Sequence, residues 1–160
     1  MTRFAIDFDW QDAGPVMLDP AERLLFPTLS TSPGLYRFWI DGGEERPSVY
    51  VGEAAHLRQR MQHYRTPGPT QPTNLRVNAL ILAALQSRRL VSVAIILQVS
   101  VSLDGTDPRN LRLDRRNARL IAEQAAIAAI QIEELKGPVD GRLIRPTLLD
   151  RPGVGEAEYE

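Results

Sequence analysis

The strongest structural signal in the sequence lies between positions 91 and 103, where every second residue is apolar. The seven odd-numbered residues are Val91, Val93, Ile95, Leu97, Val99, Val101 and Leu103. Because successive side chains of a β-strand point to opposite faces, this period of two residues predicts one long strand with a buried face. A chain of 160 residues without an internal repeat is expected to form one domain with a single core.

Further strands are predicted nearer the N-terminus. Residues 34–40 (GLYRFWI) and 48–52 (SVYVG) are rich in aromatic and β-branched residues and flank the turn segment DGGEERP, which is typical of a β-hairpin. Apolar and polar residues alternate over 4–10, which predicts an added strand. Residues 12–33 contain four prolines and are therefore expected to form a connector.

Helical spacing of apolar residues predicts helices over 53–64, 74–87 and 114–135, the second capped by Thr73 or Asn74. The last helix is expected to bury a single stripe of side chains, formed by Ile121, Ala125, Ala128, Ile132 and Leu135. Strands and helices in this order predict a fold of the α/β (α+β) class.

Composition excludes several kinds of site. The chain has no cysteine, so disulfides, thiolate catalysis and cysteine-based zinc sites are ruled out. The only histidines are His56 and His63, so any metal is expected to bind mainly to carboxylates. No apolar run approaches the roughly 18 residues of a membrane span, and no leader is recognisable, so the chain is expected to be cytoplasmic.

Charge is unevenly distributed along the chain. The net charge is −1, yet residues 54–89 contain six arginines and no acidic residue. A surface of one sign attracts polyanions, which predicts a nucleic-acid-binding face. The alternative is that Arg88 and Arg89 complement the C-terminus of a helix.

Four short motifs follow one another along these elements. GLY stands at 34–36 and YVG at 50–52 in the hairpin, the run LRQR ends at Arg60 on the first helix, and Glu123 lies on the last helix. Each triplet alone is common by chance, whereas four elements in this order are specific. The combination resembles the GIY-YIG nuclease superfamily over residues 33–136.

The resemblance implies a fold and a division of the chain. The implied fold is a GIY-YIG-like three-stranded mixed or antiparallel sheet flanked by helices, here with an extra N-terminal strand. Residues 1–32 would then be an N-terminal extension, residues 33–136 a standalone nuclease-like domain, and residues 137–160 an extended C-terminal tail.

The resemblance also implies the catalytic residues. Tyr36 and Tyr50 stand at the tyrosines of the two triplets, and Arg60 stands at the arginine of the first helix. Tyr64, one helical turn later, resembles the excision-repair nucleases, which have tyrosine where other members have histidine. Glu123 matches the metal-binding glutamate of the last helix. One departure is that no asparagine follows Asn117, although family members often have one near the end of the domain.

These residue types suit phosphodiester hydrolysis. A tyrosine has an unperturbed pKa near 10, so it acts as a general base only where a cation lowers that pKa. Arg60 and a divalent ion on Glu123 would supply the cation, and a single carboxylate completed by water and phosphate is typical of Mg²⁺, with Mn²⁺ as a substitute. Which of Tyr36 and Tyr50 acts on the water is left open.

Each of these residues also has an ordinary structural interpretation. The two tyrosines are then hairpin aromatics that pack across strands, and Arg60 is a solvated helix residue. Glu123 interrupts an apolar strip, where a carboxylate is unfavourable unless paired, and Arg119 one turn earlier is a possible partner.

The sequence therefore predicts a metal-dependent endonuclease whose partner is nucleic acid, with DNA favoured over RNA, and no membrane. Further residues are expected to contact the nucleic acid: Arg58, Arg65, Asn74, Arg76 and Asn78. One alternative is a catalytically inactive nucleic-acid-binding domain that retains the fold, and another is a module that binds an acidic protein. A protein partner or a homodimer is a possible source of targeting.

Overall fold

The computed structural model describes residues 1–135 and 147–149. In chain order the elements are β1 (Phe4–Asp7), β2 (Gln11–Pro15), β3 (Met17–Leu18), β4 (Leu24–Leu25), β5 (Gly34–Ile40), β6 (Ser48–Ala54), α1 (Leu57–Arg65), α2 (Pro72–Gln86), β7 (Val91–Ile96), β8 (Ser100–Leu103), β9 (Arg109–Asn110), α3 (Arg116–Leu135) and β10 (Thr147–Leu148). Apart from 147–149, the predicted tail over 137–160 lies outside the described residues.

The main sheet has five strands in the order β10-β6-β5-β7-β2. Its three central strands are antiparallel, with Phe38 of β5 between Tyr50 of β6 and Val93 of β7. β10 runs parallel to β6 beside Ser48 and Val49. The predicted α+β class is confirmed. The predicted three strands are present, but β2 and β10 widen the sheet to five.

The stretch 91–103 forms two strands, so the prediction of one long strand is wrong. β7 ends at Ile96, and β8 belongs to a separate three-stranded sheet in the order β1-β8-β9. The side chain of Leu97 is 39% exposed between them, whereas Val99 is buried. The alternation continues through the break because β8 also buries one face, and alternation alone cannot reveal a change of sheet.

The N-terminal strands β1 and β2 also belong to two different sheets, whereas one added strand was predicted. The predicted strand over 4–10 is limited to β1, which pairs with β8 outside the main sheet. The main sheet instead gains β2, from the expected connector, as an edge strand beside β7. β2 contains Gly14 and Pro15 and has an irregular register between Asp12 and Gly14, features that an edge strand tolerates.

Two helices cover the first face of the main sheet. Leu57 and Met61 of α1 and Ile81 of α2 pack with Tyr36 and Phe38 in one apolar cluster. α1 begins four residues later than predicted and ends one residue beyond the predicted end, at Arg65. α2 begins two residues earlier than predicted, with Pro72 in its first turn and Gln71 rather than Thr73 or Asn74 as the N-cap. Proline is favoured there because its missing N–H has no helical partner to lose.

α3 covers the second face, but not with the predicted side. Ile121 and Ile132 are 49% and 55% exposed. Over residues 116–132, the part of α3 whose side chains the structure describes, the buried ones are Ala118, Arg119, Ala122, Glu123 and Ala126. The predicted Leu135 side chain lies outside that part. Small alanines let the helix backbone approach the sheet closely. This close packing outweighs the burial of the larger isoleucine side chains. No helix within residues 1–135 is long and apolar enough to cross a membrane.

An ion pair fixes α3 on this face. Arg119 is 4% exposed and donates from Nε to the Glu53 carboxylate of β6 at 2.5 Å. It also donates to the main-chain carbonyl of Leu113 at 3.1 Å. A buried charge is tolerated only where it is paired and hydrogen bonded, so Arg119 is expected to be a principal determinant of how α3 docks.

Replacing Arg119 with Ala should lower the free energy of unfolding by about 3 kcal/mol, because it leaves Glu53 without its cation. The matched control is Arg116→Ala, one turn earlier and exposed, which should change stability by less than about 0.5 kcal/mol. Urea denaturation measures both. Equal stability of the two variants would show that the pair does not hold the helix.

Candidate active site

The two hairpin strands place their aromatic side chains on one face. In β5, Tyr36 and Phe38 share the first face, and Tyr50 of β6 lies directly opposite Phe38. The rings of Phe38 and Tyr50 are stacked, with centroids 6.2 Å apart and an interplanar angle of 15°. Tyr64 of α1 meets Phe38 edge-on at 5.2 Å. The tyrosines of both triplets thus converge beneath α1.

A hydrogen-bonded cluster joins the hairpin to α1. The hydroxyls of Tyr36 and Tyr64 are 2.6 Å apart. Arg60 donates from Nε to the Tyr36 hydroxyl at 3.1 Å and from Nη2 to the Tyr64 hydroxyl at 3.3 Å. All three side chains are buried, including Arg60, which is only 8% exposed. We call Tyr36, Arg60 and Tyr64 the hydroxyl–guanidinium cluster.

Steric packing explains why glycine occupies positions 34 and 52 of the two motifs. Gly52 lies opposite Tyr36, and a Cβ built on Gly52 collides with the Tyr36 phenol. A Cβ on Gly34 would be 2.5 Å from the Ile96 carbonyl oxygen and 3.1 Å from Leu57. One glycine therefore lets the phenol cross β6, and the other lets α1 and β7 close on β5.

Burial keeps two of the tyrosines protonated. Desolvation raises the pKa of Tyr36 to about 12, although the Arg60 guanidinium opposes this shift. Desolvation also raises the pKa of Tyr64 well above its usual value of 10. The positive charge of Arg60 lies beside Tyr36, yet it does not offset the effect of desolvation on the Tyr36 pKa. Ionised Tyr36 is therefore a poor candidate for the general base, and its hydroxyl is occupied by Tyr64 and Arg60.

Glu123 lies on α3, the helix that covers the second face of the sheet. Its neighbours on the buried side of α3, Ala122 and Ala126, pack with Val49 and Val51 on the second face. Glu123 itself is fully buried. The structure thus brings four of the five predicted catalytic residues together on the first face, and places the fifth on the helix that covers the second.

Arg58 and Arg65, predicted to contact nucleic acid, hold the connector that precedes β5. Arg58 donates from Nε to the Leu29 carbonyl at 3.0 Å. Arg65 donates to the Leu24 carbonyl and forms an ion pair with Asp19 at 2.5 Å. These contacts fasten the connector to α1.

The predicted residues of α2 also make internal contacts. Asn74 is fully buried and donates to the Gln71 side chain at 3.0 Å. Asn78 donates to the main-chain carbonyl of Tyr64 at 2.6 Å, which links α2 to the end of α1. Arg76 lies exposed on the same helix.

A small cavity of about 30 Å³ lies beside Arg60, lined by Ala55, His56, Gln59, Arg60 and His63. His56 is the N-cap of α1, and its Nδ1 accepts from the Gln59 main-chain N–H at 3.0 Å. Neither histidine is among the site residues predicted from the sequence. Their positions, four residues before and three after Arg60, are the helical spacing that brings side chains onto one surface.

No family model matches the chain, and neither a curated protein nor a solved structure matches it. The resemblance to GIY-YIG nucleases therefore depends on the motifs and on the contacts that their residues make.

Gly52→Ala should destabilise the fold by about 1 to 3 kcal/mol, because the new methyl group competes with the Tyr36 phenol for a filled space. The matched control is Gly68→Ala, where a Cβ meets only the flexible Gln71 side chain at 3.3 Å. Thermal and urea unfolding should separate the two variants. A Gly52→Ala protein as stable as the control would contradict the packing described for the triplets.

The raised tyrosine pKa values predict loss of stability at alkaline pH. Tyr36 has a folded pKa of about 12 against an unfolded value near 10, so its contribution is complete below pH 10 and is lost as pH rises towards 12. Tyr64 acts in the same direction. Unfolding free energies measured between pH 9 and pH 11 should fall, and Tyr36→Phe should reduce the slope. Phenolate absorbance showing that all tyrosines ionise near pH 10 would contradict this account.

Proposed function

We propose that the protein is a metal-dependent endonuclease of the GIY-YIG type that hydrolyses phosphodiester bonds in nucleic acid, with DNA favoured over RNA. The observation that supports this most is the hydroxyl–guanidinium cluster. Arg60 was assigned only from its position after the second triplet, and it donates hydrogen bonds to Tyr36, 24 residues earlier, and to Tyr64. If the triplets had arisen by chance, there would be no reason to expect hydrogen bonds between Arg60 and these tyrosines.

The cluster suggests distinct roles for the two triplet tyrosines. Tyr36 has its hydroxyl engaged by Arg60 and Tyr64, so it is assigned to positioning. The resemblance implies that one triplet tyrosine positions and the other acts on the water, so Tyr50 is proposed to orient the attacking water. Arg60 is fixed by two phenols, and its planar guanidinium is the kind of group that suits the non-bridging oxygens of a phosphate.

Glu123 is the residue proposed to hold the metal ion. Its carboxylate is a hard oxygen ligand, and within the described residues no group of three or more metal-binding side chains occurs. One carboxylate with water and substrate phosphate is typical of Mg²⁺ or Mn²⁺. Because Glu123 is fully buried in this structure, the proposal requires its carboxylate to become accessible when the ion binds. When bound, such an ion would stabilise negative charge on the phosphate and lower the pKa of the attacking water.

The two faces of the sheet meet at the outer edge of β6. In the described part of the chain, β10 pairs with β6 only at Ser48 and Val49. The remainder of that edge, from Val51 to Ala54, carries the motif glycine and Glu53. We assign catalysis to this edge, which borders both the face covered by α1 and the face covered by α3.

Burial of the tyrosines supports a second candidate, a nucleic-acid-binding domain that retains the fold without catalysis. A protonated Tyr36 at 0% exposure is a packing residue as readily as a positioning one. The two candidates differ in whether a divalent ion makes the protein cut what it binds.

Incubation of the purified protein with supercoiled plasmid, single-stranded DNA and RNA, in Mg²⁺, Mn²⁺ or EDTA, tests the proposal. Cleavage should require the divalent ion and should be abolished by Glu123→Gln, whereas Glu45→Gln, at an exposed loop position, should cut at the wild-type rate.

Tyr50→Phe should lower the rate by about two to three orders of magnitude. Arg60→Ala should lose far more cleavage than binding, since its role is at the transition state.

Undiminished cleavage by Glu123→Gln would remove Glu123 from the mechanism. Binding of DNA or RNA without cleavage in either metal would favour the inactive domain.

A further inference from the structure

A groove opens at the end of the main sheet where β5 and α1 begin. Its volume is about 400 Å³. The groove is lined by Ser32, Pro33, Leu97, Gln98 and the segment Asn110–Asp114. The Ser32 carbonyl accepts the main-chain N–H of Leu57, the first residue of α1. The groove therefore borders the helix that carries Arg60.

The lining residues Asn110–Asp114 belong to an arginine-rich segment. Residues 109–119 read RNLRLDRRNAR, with five arginines and one acidic residue. The buried member, Arg119, pairs with Glu53. Four are exposed, namely Arg109, Arg112, Arg115 and Arg116. Arg112 lines the groove, and the other three flank the lining segment in the sequence. This cluster lies outside the basic window of residues 54–89. It was not apparent from the sequence because the acidic residues also lie outside that window and offset its charge.

Most of this charge is available to a ligand. Arg112 pairs with Asp114 at 2.7 Å, and both side chains are exposed. Within the described residues, Arg109, Arg115 and Arg116 form no ion pair with an acidic side chain. In contrast, Arg58 and Arg65 of the earlier basic window donate to main-chain carbonyls of the connector.

The groove also offers hydrogen-bonding groups between the charges. The Gln98 amide nitrogen donates to the Asn110 side-chain oxygen at 2.9 Å. Both residues are exposed, and each retains donor or acceptor capacity beyond that bond. An open groove with amides along its wall and cations spread over eight positions fits an extended polyanion better than a small anion, which is bound by convergent charges.

We propose that this groove binds one strand of nucleic acid, with its phosphates on Arg109, Arg112, Arg115 and Arg116. The inference deepens the proposed function by giving the path of the strand towards Arg60. The strand would run from the arginine-rich segment across Gln98 to Ser32 and the start of α1.

Binding of labelled single-stranded and duplex DNA, followed by fluorescence anisotropy in EDTA over a range of NaCl concentrations, tests the groove without cleavage. The test variant is Arg109→Gln/Arg115→Gln/Arg116→Gln. The control, Arg3→Gln/Arg46→Gln/Arg88→Gln, removes three exposed arginines elsewhere and changes net charge equally. Melting temperatures should verify that both remain folded.

The groove variant should bind at least tenfold more weakly than wild type, and its salt slope on duplex DNA should flatten by about two to three units, since each phosphate contact contributes about 0.9. The control should keep most of the affinity and slope. Equal losses in the two variants, or wild-type binding by the groove variant, would overturn the inference.

The same measurements separate this inference from the proposed function. Groove-dependent binding without cleavage in Mg²⁺ or Mn²⁺ would support the groove and contradict the endonuclease. Metal-dependent cleavage with unaltered binding by the groove variant would support the endonuclease and contradict the groove. Absence of any binding by the wild-type protein would contradict the groove outright.

Discussion

The hydrogen bonds that Arg60 donates to Tyr36 and Tyr64 join the hairpin to α1, and the geometry of the first face depends on them. The Tyr36 phenol occupies this position only because Gly52 beside it has no side chain. Three buried polar groups satisfy one another there, and an unsatisfied buried group is unfavourable by about 1 to 3 kcal/mol. The two triplets and the helix arginine are therefore parts of one packing unit.

Features with local signals were predictable from the sequence, and features set by distant contacts were not. The hairpin and α1 follow from strand composition and helical spacing, whereas the contact between Arg60 and Tyr36 was not predicted and appears only in the structure. The buried side of α3 was mispredicted because hydrophobicity favours Ile121, whereas Arg119 is held by Glu53, 66 residues away. No local pattern encodes that partner.

Alternation misled where it was followed through two strands, and a charge count over a long window does not separate arginines by the contacts that they make. The basic window contains arginines such as Arg65 that pack the connector, while the exposed arginines between 109 and 116 were merged with an acidic remainder. The alternation over 91–103 is real, but it passes through the exposed turn at Leu97 from one sheet to another. In both cases the position of each side chain in the fold decides its role.

The central claim is that Glu123 and the hydroxyl–guanidinium cluster serve one phosphodiester. Crystals of the protein with a short uncleavable DNA and Mn²⁺, measured by anomalous diffraction, test it most directly. The account predicts an anomalous peak at the Glu123 carboxylate, with a DNA phosphate shared between that ion and Arg60 at the edge of β6. A well-ordered DNA strand with no Mn²⁺ at Glu123, or with every phosphate remote from Arg60, would contradict it.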